Sequence, residues 1–374
     1  MVDFNLTPAQ AEVREVARDL AARVLAPGRD ARERAHAIDP EVIRALATRG
    51  LLGVNIPRAL GGAARGPVAY AVAVREVAAG DAAVAVTMAV TNMVAEVLNR
   101  FGTDEQRQRH IPRLVSGEYF GGAFGLSEPA AGSDAGSLTT RATQDAGGWS
   151  LSGQKMWIST GDAAGVIVLW ARTGGPGAKG ISCFLVEQGA PGLGIGKAEE
   201  KMGLRASHTV ALSLDDVRVP DSARLGELGG GFRIAMAALD GGRIGIAAQS
   251  LGIAEAALGI ARKHAADHAG DVGFEAELAD MATELDAGWL MTLRAAQLKE
   301  AGKAFTVEAA MAKVAASEAA NRIVRKAAQV LGPRGLLEAS GVPRLVRDCR
   351  VTQIYEGTSE VQRLVIGRAL LKQD

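Results

Sequence analysis

Apolar positions recur with a helical period at both ends of the chain and with a shorter, alternating period between them. From Thr7 to about Gly117 the spacing is helical, beginning with Val13, Val16, Leu20 and Val24 on one face. Thr7-Pro8-Ala9-Gln10 reads as the start of that first helix: a hydroxyl cap, a proline at the first helical position and a glutamine able to reach back. Asp39-Pro40 opens a second helix ending near Gly50, Leu60-Gly61-Gly62 marks a loop, and residues 67–100 form apolar helices. Between Phe120 and Val219 the pattern predicts strands over Trp149 to Ile158, Val166 to Ala171, Ile181 to Val186 and Val210 to Val217. The breaks Gly174-Gly-Pro-Gly177 and Pro191-Gly-Leu-Gly194 are turns, which predicts a compact antiparallel unit without βαβ repeats. After Pro220 the helical period returns in alanine-rich segments at 230–264, 276–300 and 306–331 and in a last helix from Ser359 to Leu371. The expectation is an α+β multidomain chain: an N-terminal helical domain (1–119), a central small antiparallel β domain (120–228) and a C-terminal domain like a four-helix bundle (229–374).

Composition removes several classes of function. In 374 residues, 42 Lys and Arg balance 42 Asp and Glu, so no basic field draws in nucleic acid or an anionic membrane. Residues 1–7 lack the basic and apolar regions of a secretory signal, so a cytoplasmic location is expected. Ala82 to Leu98, the longest apolar stretch, is broken by Thr87, Thr91, Asn92 and Glu96 and reads as a buried helix, not a membrane span. Cys183 and Cys349 offer neither a disulfide framework nor metal-ligand spacing, so no metal is expected and both read as structural. Gly192-Leu-Gly-Ile-Gly196 has the wrong spacing for a dinucleotide loop and reads as a turn.

The strongest chemical signal is Thr352-Gln-Ile-Tyr-Glu-Gly-Thr-Ser-Glu360, where Glu356 stands between an apolar run and a helix start. Gly357 permits a sharp turn, and Ser359 with Gln362 fits a reciprocal cap, so Glu356 projects from a defined bend. A carboxylate there is a candidate general base. Asp240 and Arg243, three apart on a helix, share a face and form a second candidate pair.

Five ordered motifs carry a resemblance that spans nearly the whole chain: Phe101-Gly-Thr-Asp-Glu-Gln106, Leu126-Ser-Glu-Pro-Ala-Ala-Gly-Ser-Asp134, Gly153-Gln-Lys-Met-Trp-Ile-Ser159, Leu239-Asp-Gly-Gly-Arg243 and Gln353-Ile-Tyr-Glu-Gly-Thr358. The chain resembles the flavin-dependent acyl-CoA dehydrogenases, and among them the short-chain members. The resemblance implies FAD as cofactor and α,β-dehydrogenation of an acyl thioester, with Glu356 taking the α proton and flavin N5 the β hydride. Such a base must be desolvated, which would raise its pKa toward about 6–7, and Tyr355 and Ile354 would supply apolar neighbours. In other branches the base lies on the helix after the β domain; here that position is Gly242.

By the same resemblance, Phe124, Leu126, Ser127, Ser133, Trp157, Ile158, Ser159, Gln329, Gly332, Thr358 and Glu360 belong to the cofactor site. Trp157 would cover one ring face, Ser127 the pyrimidine end and Ser159 the neighbourhood of N5. Ser133, Asp240, Arg243, Tyr355 and Gly357 would meet substrate, and the helix around Met88 to Met93 would line the acyl pocket. The implied partners are an acyl-CoA, or alternatively a carrier-protein-bound acyl thioester, and an electron-transferring flavoprotein as acceptor. A third, non-catalytic reading, a helical scaffold, would require the loss of motifs that are intact here. Two segments depart from the family pattern: residues 264–281 are shorter than usual, and a Gly-rich turn reads Gly332-Pro333-Arg334-Gly335. Both touch cofactor contacts across subunits of the expected homodimer or homotetramer, so weaker FAD retention is expected.

Overall fold

A computed structural model of the protein describes residues 5–266 and 271–372. Six α-helices come first: α1 (Pro8–Leu20), α2 (Ala26–Ala35), α3 (Pro40–Ala47), α4 (Gly66–Gly80), α5 (Ala82–Phe101) and α6 (Asp104–Val115). The predicted cap at Thr7 is present, with Thr7 Oγ1 accepting from the Gln10 amide and the Gln10 side chain accepting from the Thr7 amide. Asp39 caps α3 and Asp81 caps α5 in the same way, each satisfying amides that a helix start leaves without partners.

Eight strands follow: β1 (Gly122–Gly125), β2 (Arg141–Asp145), β3 (Gly148–Ser159), β4 (Val166–Arg172), β5 (Ile181–Glu187), β6 (Leu193–Ile195), β7 (Thr209–Val219) and β8 (Arg224–Leu225). They form one sheet in the order β6-β7-β3-β2-β4-β5-β8, with β1 beside β4. The sheet is mixed, which corrects the expectation of a purely antiparallel unit: β1 runs parallel to β4, pairing Gly122 with Val166 and Gly125 with Leu169. The parallel pair is possible because the connection between β1 and β4 is long and holds β2 and β3. Gly192 to Gly196 also differs from a plain turn, since Leu193–Ile195 is a short edge strand paired with β7.

Five further α-helices complete the described residues: α7 (Gly231–Ala266), α8 (Val272–Glu300), α9 (Thr306–Val330), α10 (Val342–Arg350) and α11 (Ser359–Leu370). Helix α10, not predicted as an element, is held by buried Val342, Leu345 and Cys349. The N-terminal and C-terminal helices share one core in which Val74 and Val77 of α4 lie with Leu251 and Ala254 of α7 and Ala316 and Ala320 of α9. The helical ends of the sequence are therefore packed as one body around α7. Helices α5 and α7 are long and apolar enough to cross a membrane by length and composition, yet most of each is buried inside the protein. Trp170 Nε1 donates to the Gly231 carbonyl at 2.7 Å, pinning the first turn of α7 to the sheet. That contact fixes where the α7 residues two to three turns later lie.

Candidate active site

The turn between α10 and α11 is built around two successive left-handed residues, Glu356 (φ +55°) and Gly357 (φ +85°). For Gly357 that conformation is free of Cβ strain; for Glu356 it costs on the order of 1 kcal/mol and has to be held by surrounding structure. Gln362 Nε2 holds it, donating to the carbonyls of Glu356 (2.9 Å) and Gly357 (3.1 Å). The cap of α11 is Thr358, whose hydroxyl accepts from the Val361 amide, and not Ser359, which is buried with its hydroxyl unpartnered among the described residues. The predicted reciprocal cap is therefore not formed, because Gln362 is spent on the turn, and a single capping bond is made one residue earlier.

This turn carries the Glu356 carboxyl against α7. A Cβ added at Gly242 would stand 2.8 Å from the Glu356 carboxyl carbon, so glycine at 242 is what leaves room for the acid. Glu356 Oε2 is buried and has no hydrogen-bond partner among the described residues. Burial pushes the Glu356 pKa up to about 7, against the pull of the cations Arg243 and Lys313. Arg243, one residue beyond Gly242, is buried and pairs through Nη1 with Asp240 Oδ1 at 2.6 Å, so the predicted shared face of Asp240 and Arg243 exists. Asp240 Oδ2 accepts from Thr306 Oγ1 at 2.6 Å, while Arg243 Nε is buried without a partner among the described residues. Tyr355 points its hydroxyl at Gln249 Oε1, and burial raises its pKa. Ile354 is half exposed and does not join this apolar wall, contrary to expectation.

On the sheet, two motif segments lie side by side: the Met156 amide donates to the Ser127 carbonyl at 3.0 Å. Beneath them Lys155, fully buried, reaches Glu128 Oε1 at 2.8 Å and the Leu126 carbonyl at 3.3 Å. Glu128 also accepts from the amides of Thr139 (2.6 Å) and Thr140 (2.9 Å), so one buried carboxylate organises the loop from 126 to 140. Its partners hold its pKa down to about 2 although burial alone would raise it, the cost of dehydration being exceeded by Lys155 and the donated hydrogen bonds. The strand is irregular between Lys155 and Ile158, and Trp157 adopts φ +64°, which turns the indole outward to 57% exposure. An exposed flat aromatic beside Ser127 and half-buried Ser159 fits the ring of a flat heteroaromatic cofactor. Ile158 points the other way, into the sheet core, so it offers a ligand only its backbone. Phe124 packs on Trp170 at 4.3 Å between ring centroids, Leu126 is buried, and Ser133 is exposed on the same loop.

Next to Gly242 opens a cavity of about 370 Å³ whose wall includes Gly241, Gly242, Tyr70, Met93, Val97 and Phe305. A Cβ at Gly241 would stand 3.1 Å from Lys299 Nζ, which pairs with Glu96 Oε2 at 2.7 Å; Asn55 Nδ2 also donates to Glu96. Met93 lines this cavity. Met88 is fully buried in the core, and Asn92 is spent on the Leu51 and Met88 carbonyls and the Val54 amide.

Family models for the N-terminal, middle and C-terminal domains of acyl-CoA dehydrogenases match residues 7–118, 123–217 and 229–371. The chain belongs to the acyl-CoA dehydrogenase family. It is 43% identical over 369 residues to the mitochondrial short-chain specific acyl-CoA dehydrogenase of Bos taurus, covering 96% of this chain and 89% of that one. The solved butyryl-CoA dehydrogenase of Megasphaera elsdenii superposes with a TM-score of 0.96 at 41% identity, covering 99% and 100% of the two chains. A chain from a structural study of the electron-transferring flavoprotein of Acidaminococcus fermentans, directed at flavin-based electron bifurcation, gives 0.97 at 38% identity and full coverage of both. This acyl-CoA dehydrogenase is an FAD-dependent oxidoreductase acting on CH–CH groups.

Within this chain, not all the expected cofactor residues converge. Gln329 and Gly332 lie at the exposed end of α9, about 24 Å along that helix from Lys313, which touches the Glu356 turn. Gly332 (φ +57°) and Pro333 open a single turn of 3-10 helix that leaves Arg334 exposed. Thr358 is half-buried and Glu360 exposed at the start of α11. Of the shortened segment, residues 267–270 lie outside the described residues. Lys313, Glu128 and the Glu96–Lys299 pair were not singled out from the sequence. A lone lysine in the alanine-rich run Ala309-Ala-Met-Ala-Lys-Val-Ala-Ala316 was the available signal for Lys313.

Proposed function

We propose that this chain dehydrogenates short acyl-CoA thioesters to trans-2-enoyl-CoA, with Glu356 as the base that removes the α proton. The observation that carries the reading is a buried carboxylate with one unpartnered oxygen, raised to about 7 by burial and aimed from a left-handed turn. A carboxylate near its ordinary pKa of about 4.3 is a weak base, and matching the pKa to the working pH is how enzymes correct this. Oε2 has no donor to lose before it takes the proton. FAD, when bound, accepts the hydride that leaves the β carbon. Trp157, Ser127 and Ser159 would hold its ring, Trp157 by stacking and the serines by polar contact.

The cavity supports the short-chain reading. Its apolar wall at Met93, Val97 and Phe305 gives way to the Glu96–Lys299 pair, which stands against Gly241 while the Glu356 carboxyl stands against the adjacent Gly242. A longer alkyl chain would have to press on that ion pair and strip water from it, which is costly for half-buried charges. Anaerobic titration of the flavin absorbance with acyl-CoAs of increasing length is the test, and bleaching is expected to be strongest at about four carbons. Equal bleaching by a long-chain thioester would sink the short-chain reading, and bleaching by a carrier-protein thioester but not by any CoA ester would favour the carrier-bound alternative. Arg243, with a spare buried donor at Nε, and Asp240 are assigned to anchoring the thioester. Arg243→Ala is expected to raise KM by about 10- to 100-fold, the range for a hydrogen bond involving a charged group, with FAD content retained. An unchanged KM would leave Arg243 a purely structural cation.

An electron-transferring flavoprotein is the proposed acceptor and a homo-oligomer the proposed assembly. Exposed Leu364 and Leu370 on the last helix and Leu371 just beyond it support the latter, as apolar surface suited to a neighbouring subunit. Gln329 and Gly332 would then serve a neighbour's cofactor.

A further inference from the structure

Lys313 is an anomaly in α9. No part of its side chain is exposed, and Nζ donates to the Gly357 carbonyl at 2.9 Å. That carbonyl already has a neutral donor, Gln362 Nε2 at 3.1 Å. Burying an ammonium costs several kcal/mol even after relaxation, so a second donor to one carbonyl does not account for a charge there. Among the described residues Lys313 makes no ion pair. Its largest attraction is to Glu356, the residue just before the carbonyl it binds, with weaker pulls from Glu318 and Glu360.

We infer that Lys313 is a positioning residue for Glu356, fixing the turn through the Gly357 carbonyl and holding the carboxylate ionised by charge across space without hydrogen-bonding it. The distinction matters chemically. A donor placed directly on Oε2 would stabilise the anion by occupying the lone pair that must receive the α proton, whereas a cation behind the next peptide favours the anion and leaves that lone pair open. Arg243 of α7 also pulls on Glu356, more strongly than Lys313, but its hydrogen bond goes to Asp240 and not to the turn, so Lys313 is the cation that acts on both the turn and the charge; Tyr70 of α4 and Tyr355 of the turn stay neutral because burial raises both phenols. Burial brings Lys313 down to about 8 while Glu356 is brought up to about 7, so both are charged only in the narrow interval between, where the two titrations are coupled. This inference rests on the reading of Glu356 as the base.

The test is the pH dependence of flavin reduction by a short acyl-CoA in Lys313→Gln, which keeps a donor for Gly357 but no charge, beside Lys313→Arg and Glu356→Gln. Infrared titration of the carboxyl band that vanishes in Glu356→Gln reports the protonation of Glu356 directly, without turnover. Lys313→Gln is expected to move that titration up by at least about one pH unit, which lowers reduction at pH 7 about fivefold or more and lets it recover near pH 9. Lys313→Arg is expected to leave the midpoint close to that of the parent. Should Lys313→Gln fail to fold, Lys313→Met, which fills the same apolar passage, is read in the same way. A uniform loss with an unmoved midpoint in the neutral variants, or an equal shift in Lys313→Arg, overturns the inference. Normal reduction by Glu356→Gln would instead overturn the assignment of the base, whatever Lys313 does.

Discussion

Replacing Glu356 with glutamine is expected to leave a folded flavoprotein that binds acyl-CoA but reduces its flavin about 10³- to 10⁴-fold more slowly. Glutamine keeps the volume and the turn, because Gln362 and Lys313 hold backbone carbonyls and not the carboxylate. What disappears is the proton acceptor, and general-base catalysis contributes about 10²- to 10⁴-fold. Glu356→Asp, which retracts the carboxylate by one methylene, should fall between the two, since about 1 Å of misplacement costs on the order of 10²-fold. The sign of the pH dependence follows from the raised pKa. Below about 7 the parent's Glu356 is protonated and cannot accept, so reduction should climb with pH through about 7 and level off above it. In Glu356→Gln that limb should be missing from whatever rate remains. Stopped-flow absorbance of the oxidised flavin band from pH 5.5 to 9 measures both quantities, and a near-parental rate in the glutamine variant would refute the assignment.

Much of this was legible in the chain because it is written locally. The strands Trp149 to Ile158 and Val166 to Ala171 announced themselves by period, and Thr7-Pro8-Ala9-Gln10 by its cap. Glu356 could be found because Gly357 follows it and a helix starts directly after. What could not be read was set by partners distant in sequence. Ser359 looked like the cap of α11, but Gln362 is drawn away to the Glu356 and Gly357 carbonyls, which leaves the cap to Thr358. The parallel pairing of β1 with β4 has no local signature, since a parallel neighbour can lie across any long connection. Ile354 and Tyr355 are consecutive apolar residues in sequence, yet one is half exposed and the other reaches Gln249 on α7. Lys313 and Glu128 were hidden for the opposite reason. Charged residues are ordinarily read as surface, and only tertiary packing shows that these two are spent on the backbone of the site.

Gly242→Ala is expected to produce a well-folded enzyme with a severe catalytic defect, a combination that distinguishes a functional glycine from a structural one. A methyl at 242 would enter the space of the Glu356 carboxyl, 2.8 Å from its carbon, where ordinary contact begins about 0.6–1 Å farther out. The obstructed atoms are the far end of a flexible side chain, not backbone, so the clash can be relieved by rotating the carboxyl away. Helix α7 itself should gain slightly, because alanine is better than glycine in a helix interior by about 1 kcal/mol. Melting temperature is therefore expected to hold or rise. The carboxylate, however, is moved by about 1 Å from a position fixed by a left-handed turn, and a displacement of that size costs on the order of 10²-fold in rate. The loss should appear in kcat with FAD content unchanged, since none of the groups beside Trp157 is touched. Gly245→Ala, three residues along the same helix and facing the Tyr70 hydroxyl, is the control for crowding α7 without moving the base. Full activity in Gly242→Ala would mean that the carboxyl of Glu356 does not work from where it stands beside α7, and the base would have to be sought in another conformation of the turn.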